Sequence, residues 1–319
     1  MQMDNARKTQ RQREPDVVPT AIVTQQPLPD GIAFSTARQR VYWTAMGTLG
    51  ANNGSIWSCR PDGSDVRAVV RVGEAQLHTP KQIVVDDVHG QLYWADREGM
   101  RIMRCSLDRE NNESHESGKK EEEEEEEEYP IETLIQTGVW QDETHCQDAT
   151  RWCVGVALSL RYGKLFWTQK GPPRGVTGKV LCADLACPEQ TVVVLADQLP
   201  EPIDLHWDEK REILYWTDRG ELPWGNSLNA LDLHDWLAGT TTSSSSSSPS
   251  VSSSLPPPRL LSRNFHDPIG LSVDTAGEWV YVADLGGSLY RCHITSGEKE
   301  KLYQDEGCAF AGITHAAIE

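Results

Sequence analysis

Short apolar runs separated by clusters of turn formers dominate this chain, and the runs fall into phase with one another. Five segments carry an aromatic-rich centre: VYWTA at 41–45, LYWAD at 92–96, LFWTQ at 165–169, LYWTD at 214–218 and VYVAD at 280–284. Their leading aromatics, Tyr42, Tyr93, Phe166, Tyr215 and Tyr281, follow at intervals of 51, 73, 49 and 66 residues. A second column, Ser35, Asp86, Ser159, Asp208 and Asp274, stands seven residues before each aromatic. Turn formers and charges fill the space between (TARQR, DVHGQ, LRYGK, EKREI, TAGEW), and a short apolar run precedes it (GIAF, QIVV, GVAL, DLHW, GLSV). Apolar run, tight turn, apolar run predicts a β-hairpin. Third strands (SIWSC, RIMRC, KVLCA, SLNAL, SLYRC) and fourth strands (RAVVRV, IETLI, TVVVLA, RLLSR, EKLYQ) follow. Four antiparallel strands per repeat, at an underlying period of about 45–50 residues, is the plan of a β-propeller blade.

The aromatic motif resembles the YWTD repeat, the class B repeat of low-density lipoprotein receptors, over about residues 18–319. HTPKQ (78–82), DREGMRIMR (96–104), LPEPIDL (199–205) and YWTDRG (215–220) are similar to signatures of stand-alone bacterial and fungal members of that family. The resemblance implies an all-β fold of the YWTD or TolB-like kind, a six-bladed β-propeller of four-stranded antiparallel blades. AGITHAAIE (311–319) would be the sixth inner strand and TAIVTQ (20–25) an N-terminal outer strand that pairs with the C-terminal blade to close the ring. A five-bladed ring is the alternative. The motif residues themselves read as masonry, with the aromatics packed between blades and the Thr and Asp hydrogen-bonded to turns.

Composition changes this picture in two places. The tract 108–128 holds eight consecutive glutamates at 121–128, and 239–258 is nearly all Thr, Ser and Pro. Neither composition can bury a core, so both are expected to be disordered inserts, each between a third and a fourth strand and on one face. The domain plan is therefore a disordered tail over 1–17 and one propeller over 18–319. The net charge of −18 argues against nucleic acid or an anionic membrane as partner. The first residues lack an apolar h-region and no run approaches 18 apolar residues, so a cytoplasmic or nuclear location is expected. Cys59, Cys105 and Cys292 share one column on different blades, too far apart for disulfides, and are expected to be free thiols. Cys146 and Cys153, or Cys182 and Cys187, could approach locally, but neither pair has CxxC spacing.

No HExxH, GxSxG, GxGxxG or GxxxxGK[ST] occurs. Some stand-alone members of the resembled family bear dehydrogenase names, yet no βαβ unit is predicted to hold a dinucleotide. The candidate site comes from topology. Residues entering the inner strand and residues leaving the second strand share the face opposite the inserts. Glycine is usual four positions before the Ser/Asp column (Gly31, Gly155, Gly270, and Gly312 in the last copy), but Gln82 and Asp204 break the rule. Asp30, Lys81, Trp152, Glu201 and Asp267 lie around them, and Arg97, Lys170 and Arg219 follow the motif directly. A ring of carboxylates with a cationic collar is expected at the axial mouth.

Three readings of the ring remain open. It is a self-satisfied ionic network; or it binds a small polar or anionic ligand, a protein or a peptide, as a non-enzymatic scaffold needing no cofactor. In the third, a divalent-cation-dependent lactonase-type hydrolase, Glu201 and Asp204, with Asp30 and Gln82, would hold Ca2+ or Mg2+. The scaffold reading is preferred, as a monomer, because no catalytic motif accompanies the ring.

Overall fold

A computed structural model of the chain describes residues 19–108, 130–241 and 255–316. The expected tail over 1–17 and nearly all of both inserts lie outside these residues. Among the described residues twenty strands form five four-stranded antiparallel sheets, each in simple sequence order from the axis outward. The first blade is β1 (Pro29–Ser35), β2 (Arg40–Ala45), β3 (Ser55–Cys59) and β4 (Arg67–Val70). The second is β5 (Pro80–Asp86), β6 (Gln91–Asp96), β7 (Arg101–Ser106) and β8 (Glu132–Gln136). The third is β9 (Cys153–Ser159), β10 (Lys164–Gln169), β11 (Gly178–Asp184) and β12 (Val193–Leu199). The fourth is β13 (Pro202–Asp208), β14 (Ile213–Asp218), β15 (Ser227–Asp232) and β16 (Arg259–Arg263). The fifth is β17 (Pro268–Asp274), β18 (Trp279–Asp284), β19 (Ser288–His293) and β20 (Lys299–Gln304).

The expectation of six blades is therefore corrected to five. Neither 20–25 nor 311–316 forms a strand. They would be the outer and inner strands of a blade, and among the described residues no second and third strand lies between them to hydrogen-bond with either. The C-terminal segment instead closes the ring as irregular chain. The Gly270 N–H donates to the Ala311 carbonyl (2.8 Å), and Phe310 N–H to the Asp284 carbonyl (3.1 Å). A Cβ on Gly312 would lie 2.3 Å from the Asp30 carbonyl oxygen, so only glycine lets the segment pass this close to β1.

The core is the set of seams between blades, and the period-2 alternation of a strand writes it. Tyr and Trp of each motif are adjacent, so they point to opposite faces. Tyr42 and Trp94 meet in the first seam, Tyr93 and Trp167 in the second, and Phe166 and Trp216 in the third. Tyr215 enters the fourth seam, where Val282 stands in place of a tryptophan. Burying a large aromatic this fully is worth roughly 3–5 kcal/mol against truncation to alanine.

The motif threonine differs from expectation: it bonds the next blade rather than a turn. Thr44 Oγ1 accepts the Gly31 N–H (2.8 Å) and donates to the Lys81 carbonyl (2.7 Å). Thr168 joins Gly155 to Ile203 in the same way (2.8 and 2.7 Å), and Thr217 joins Asp204 to Ile269 (3.2 and 2.6 Å). The motif aspartate does bond turns. Asp96 accepts from His78 and Thr79 N–H, Asp218 from Glu201 and Gly220 N–H, and Asp284 from His266 and Ser288 N–H.

All eight cysteines are free, and Cys59, Cys105, Cys182 and Cys292 are buried on third strands. The edges of the second insert are more ordered than expected. A helix over His234–Thr241 runs into it, and Trp236, Leu237 and Leu255 pack on the third seam. No described helix is long and apolar enough to cross a membrane.

Candidate functional site at the axial mouth

Five inner strands and residues 313–315 enclose an axial channel of about 250 Å3. At its mouth, each blade ties the residue after its motif to the residue entering its own inner strand by one backbone hydrogen bond. The pairs are Met46–Leu28, Arg97–Thr79, Lys170–Trp152, Arg219–Glu201 and Leu285–Asp267, all at 3.0–3.1 Å. The backbone ring is nearly regular, and the side chains on it are not. Blades two to four place Arg97, Lys170 and Arg219 in a continuous cationic arc, while blades one and five place Met46 and Leu285.

One layer deeper, at the position before the glycine column, the blades divide along a different line. Val154, Ile203 and Ile269 form an apolar cluster with Ala311, whereas the first two blades put a buried ion pair there. Lys81 Nζ sits 2.5 Å from Asp30 Oδ2 and 3.3 Å from Met46 Sδ, and Gln82 Nε2 donates to Asp30 Oδ1 (3.0 Å). Burial lowers the Lys81 ammonium from its usual range, with Asp30 pulling the other way.

Glu201 joins blades three and four. Its Oε1 accepts from Lys170 Nζ (2.5 Å) and from Arg219 Nη2 (2.6 Å). Burial would raise its carboxyl, but Arg219 and Lys170 outweigh it and hold the group below the usual range. Arg97 pairs with the neighbouring Glu98 (2.6 Å). Trp152 lies between two cations, with the Arg97 guanidinium 5.6 Å and the Lys170 ammonium 5.4 Å from its ring centre. Its indole N–H has no acceptor among the described residues.

Asp204 stands apart from the arc. It is buried on β13, with Oδ1 accepting the Leu205 N–H (2.8 Å) and Oδ2 the Leu271 N–H (3.0 Å). Burial pushes its carboxyl up to about 8; the two amides pull it back, and Asp30 across the axis adds to the rise. Asp267 sits at the rim with left-handed φ of 55°, its N–H bonded to Asn226 Oδ1 (2.8 Å). Further down the channel His206, which sequence reasoning passed over, is half-buried and lines the wall. Burial lowers its imidazole to about 4, the charge of His315 acts in the same direction, and Asp208 opposes both. Its signal was the inward parity it shares with Asp204, two residues earlier on one strand.

The ten sequence candidates thus divide. Arg97, Trp152, Lys170, Glu201 and Arg219 form one contiguous group, Asp30, Lys81 and Gln82 a second beside it, while Asp204 is embedded and Asp267 peripheral. A divalent cation does not fit this donor set. Glu201 and Asp30 are already engaged by ammonium and guanidinium groups, and both Asp204 oxygens accept backbone amides. Among the described residues no three His, Cys, Asp or Glu side chains are grouped to hold a metal ion.

No family model matches the sequence. Over 285 residues the chain is 40% identical to low-density lipoprotein receptor-related protein 1 of Pyricularia oryzae, covering 88% of this chain and 82% of that protein. The chain belongs to the low-density lipoprotein receptor-related, YWTD-propeller family. Over 302 residues it is also 38% identical to the 3-hydroxyacyl-CoA dehydrogenase-like protein LAM1 of Cochliobolus heterostrophus, covering 92% of this chain. It spans only 58% of that relative's length. Among solved structures, a chain of a nidogen/laminin complex superimposes with a TM-score of 0.61 at 18% identity, over 90% of this chain and 84% of that one. A luciferin-regenerating enzyme superimposes at 0.55 and 11%, over 88% and 78%. These likenesses establish the fold alone. The YWTD family is the one whose residues mark the seams described above: Tyr and Trp in the packing, Thr between blades, Asp at the turns.

Proposed function

We propose that this YWTD propeller is a non-enzymatic recognition module whose axial mouth binds a carboxylate carried by a protein partner. The carrying observation is the charge count of the arc. On the arc itself three cations, Arg97, Lys170 and Arg219, face two carboxylates, Glu98 and Glu201. The arc is therefore locally positive on a chain whose net charge is −18. Glu201 is shared by two cations, so Arg219, 29% exposed, retains guanidinium N–H capacity toward the mouth. Trp152 supplies a flat apolar platform beside it. A protein partner is supported by the fold's occurrence in a nidogen/laminin complex. Within the family, the similarity to stand-alone bacterial and fungal members is the reading we adopt.

Calorimetric titration of an acetylated, amidated peptide of alternating glutamate and glycine tests this, with the glutamine analogue as control. The glutamate peptide should bind, weaken with added salt, and lose about tenfold in affinity in Arg219→Ala or Arg97→Ala. Equal binding of the two peptides, or no binding at low salt, overturns the reading.

A further inference from the structure

Behind the cationic arc a groove of about 530 Å3 runs between the third and fourth blades, with mostly apolar walls and rims such as Pro200, Leu222 and Trp224. On its wall is Asp218, the motif aspartate of the fourth blade, which is 1% exposed. Its Oδ1 is occupied by the Glu201 and Gly220 amides (3.0 and 2.9 Å), while Oδ2 is buried with no partner among the described residues. A buried carboxylate oxygen left unmatched is costly unless something arrives to meet it.

The second blade shows what meets it. There Asp96 Oδ2 receives Arg101 Nη2 at 2.6 Å, and the same nitrogen donates to the Gln76 carbonyl (3.1 Å). Arg101 lies opposite Asp96 in the strand register, as Ser227 lies opposite Asp218. Gln76 has its counterpart too: Gln76 and Gln198 each stand four residues before the proline that opens the inner strand, with left-handed φ of 51° and 53°. The fourth blade therefore keeps the guanidinium socket and lacks the guanidinium. Serine stands where the second blade has arginine, and its short side chain turns its hydroxyl to the Trp224 carbonyl (2.8 Å) instead of the aspartate.

We propose that this groove receives an arginine side chain from a partner polypeptide, its guanidinium on Asp218 Oδ2 and its methylene stem against the apolar walls. A polypeptide source fits the second polar atom present. Trp216 lines the groove and its buried Nε1 has no acceptor among the described residues, whereas the equivalent Trp43 Nε1 in the first blade donates to an amide oxygen, Gln26 Oε1, at 3.0 Å. Trp94 and Trp167 leave their indole N–H unmatched as well, so the indole marks no site by itself; the aspartate does. Asp284, the motif aspartate of the fifth blade, has both oxygens engaged by the His266 and Ser288 amides, and blades one and three carry Ala45 and Gln169 there, so among the described residues the open socket is on the fourth blade. At the rim Glu221 adds a second carboxylate, bonded to the exposed Arg174 at 2.5 Å.

The test is nuclear magnetic resonance of the full chain, following the Trp216 indole N–H during titration with an acetylated, amidated Pro-Arg-Pro peptide. The citrulline peptide, of the same shape but uncharged, is the control. The arginine peptide should give a saturable shift and the citrulline peptide should bind at least tenfold more weakly. Burial holds the Asp218 carboxyl at about 7, so binding at pH 7 should release roughly half a proton per site, read by calorimetry in two buffers of different ionisation enthalpy. Ser227→Arg, which copies the second blade, should fill the socket and abolish the shift; Asp218→Asn should weaken binding tenfold or more. Equal binding of arginine and citrulline peptides, no saturable shift, or undiminished affinity in a folded Ser227→Arg chain overturns the proposal. The glutamate peptide of the axial test should bind Ser227→Arg as it binds the wild type, so the two sites fail separately.

Discussion

The two halves of the axial mouth share one backbone and differ almost wholly in side-chain chemistry. On blades two to four the residues after the motif are Arg97, Lys170 and Arg219; on blades one and five they are Met46 and Leu285, held by the same backbone hydrogen bond. In the layer below, Asp30 and Lys81 form a buried ion pair where Val154, Ile203 and Ile269 pack as hydrocarbon. The comparison teaches that the blade scaffold tolerates either chemistry at these positions. Its own stability lies in the Tyr/Trp seams and the threonine links between blades. A buried ion pair gains little over well-packed hydrocarbon once desolvation is counted. Asp30 and Lys81 therefore contribute electrostatic character to the mouth more than stability to the fold.

The largest test of this comparison breaks the pair on one side. Asp30→Ala leaves the Lys81 ammonium buried without its carboxylate, and chemical denaturation should find a loss of about 3–5 kcal/mol. Replacing both partners sharpens the comparison. Asp30→Val with Lys81→Ile gives the first two blades of the lower layer the chemistry of the other three. It should recover most of that loss, ending within about 1 kcal/mol of the wild type or above it. If the double variant is as unstable as the single one, the halves are not interchangeable.

A smaller effect is expected from pH. The Asp204 carboxyl is raised by burial to about 8 from the ordinary 3.8, so between those values the folded chain binds a proton that the unfolded chain does not. Its contribution is complete at the acid end of this window and is lost as pH rises through about 8. His206, lowered by burial to about 4 from 6.5, acts in the opposite sense, but only below 6.5. Melting temperatures at pH 6.5 and 8.5 should therefore fall by several degrees in the wild type and by less in Asp204→Asn. Smallest of all, removing 243–253 should leave the melting temperature unchanged within a degree. A wider cut through Leu255 should lower it, because that residue packs on the third seam.

The strands were legible because every blade repeats the same two-residue alternation. The glycine column was legible for the same reason, and a Cβ on Gly31 or Gly155 would indeed lie within 2.4 Å of the next blade's backbone. Blade number was not legible. Whether 311–316 becomes a strand depends on neighbours that would have to pair with it, and among the described residues there are none. The candidate site was half legible. Topology placed ten residues near one mouth, but it could not say that Lys170 reaches across to Glu201 or that Asp204 spends both oxygens on amides. The groove behind Asp218 was invisible, because it arises from serine at a position whose partner across the ladder is known only once the register is known.

By itself the order of residues determined the repeat, the strands within it and the faces their side chains take, since these are local properties of an alternating chain. Tertiary structure alone decided how many sheets close the ring, which charges neutralise one another, and which buried oxygen is left waiting. Those outcomes depend on distances between residues on different strands and blades, such as Asp30 and Lys81, and such distances exist only after the blades have packed.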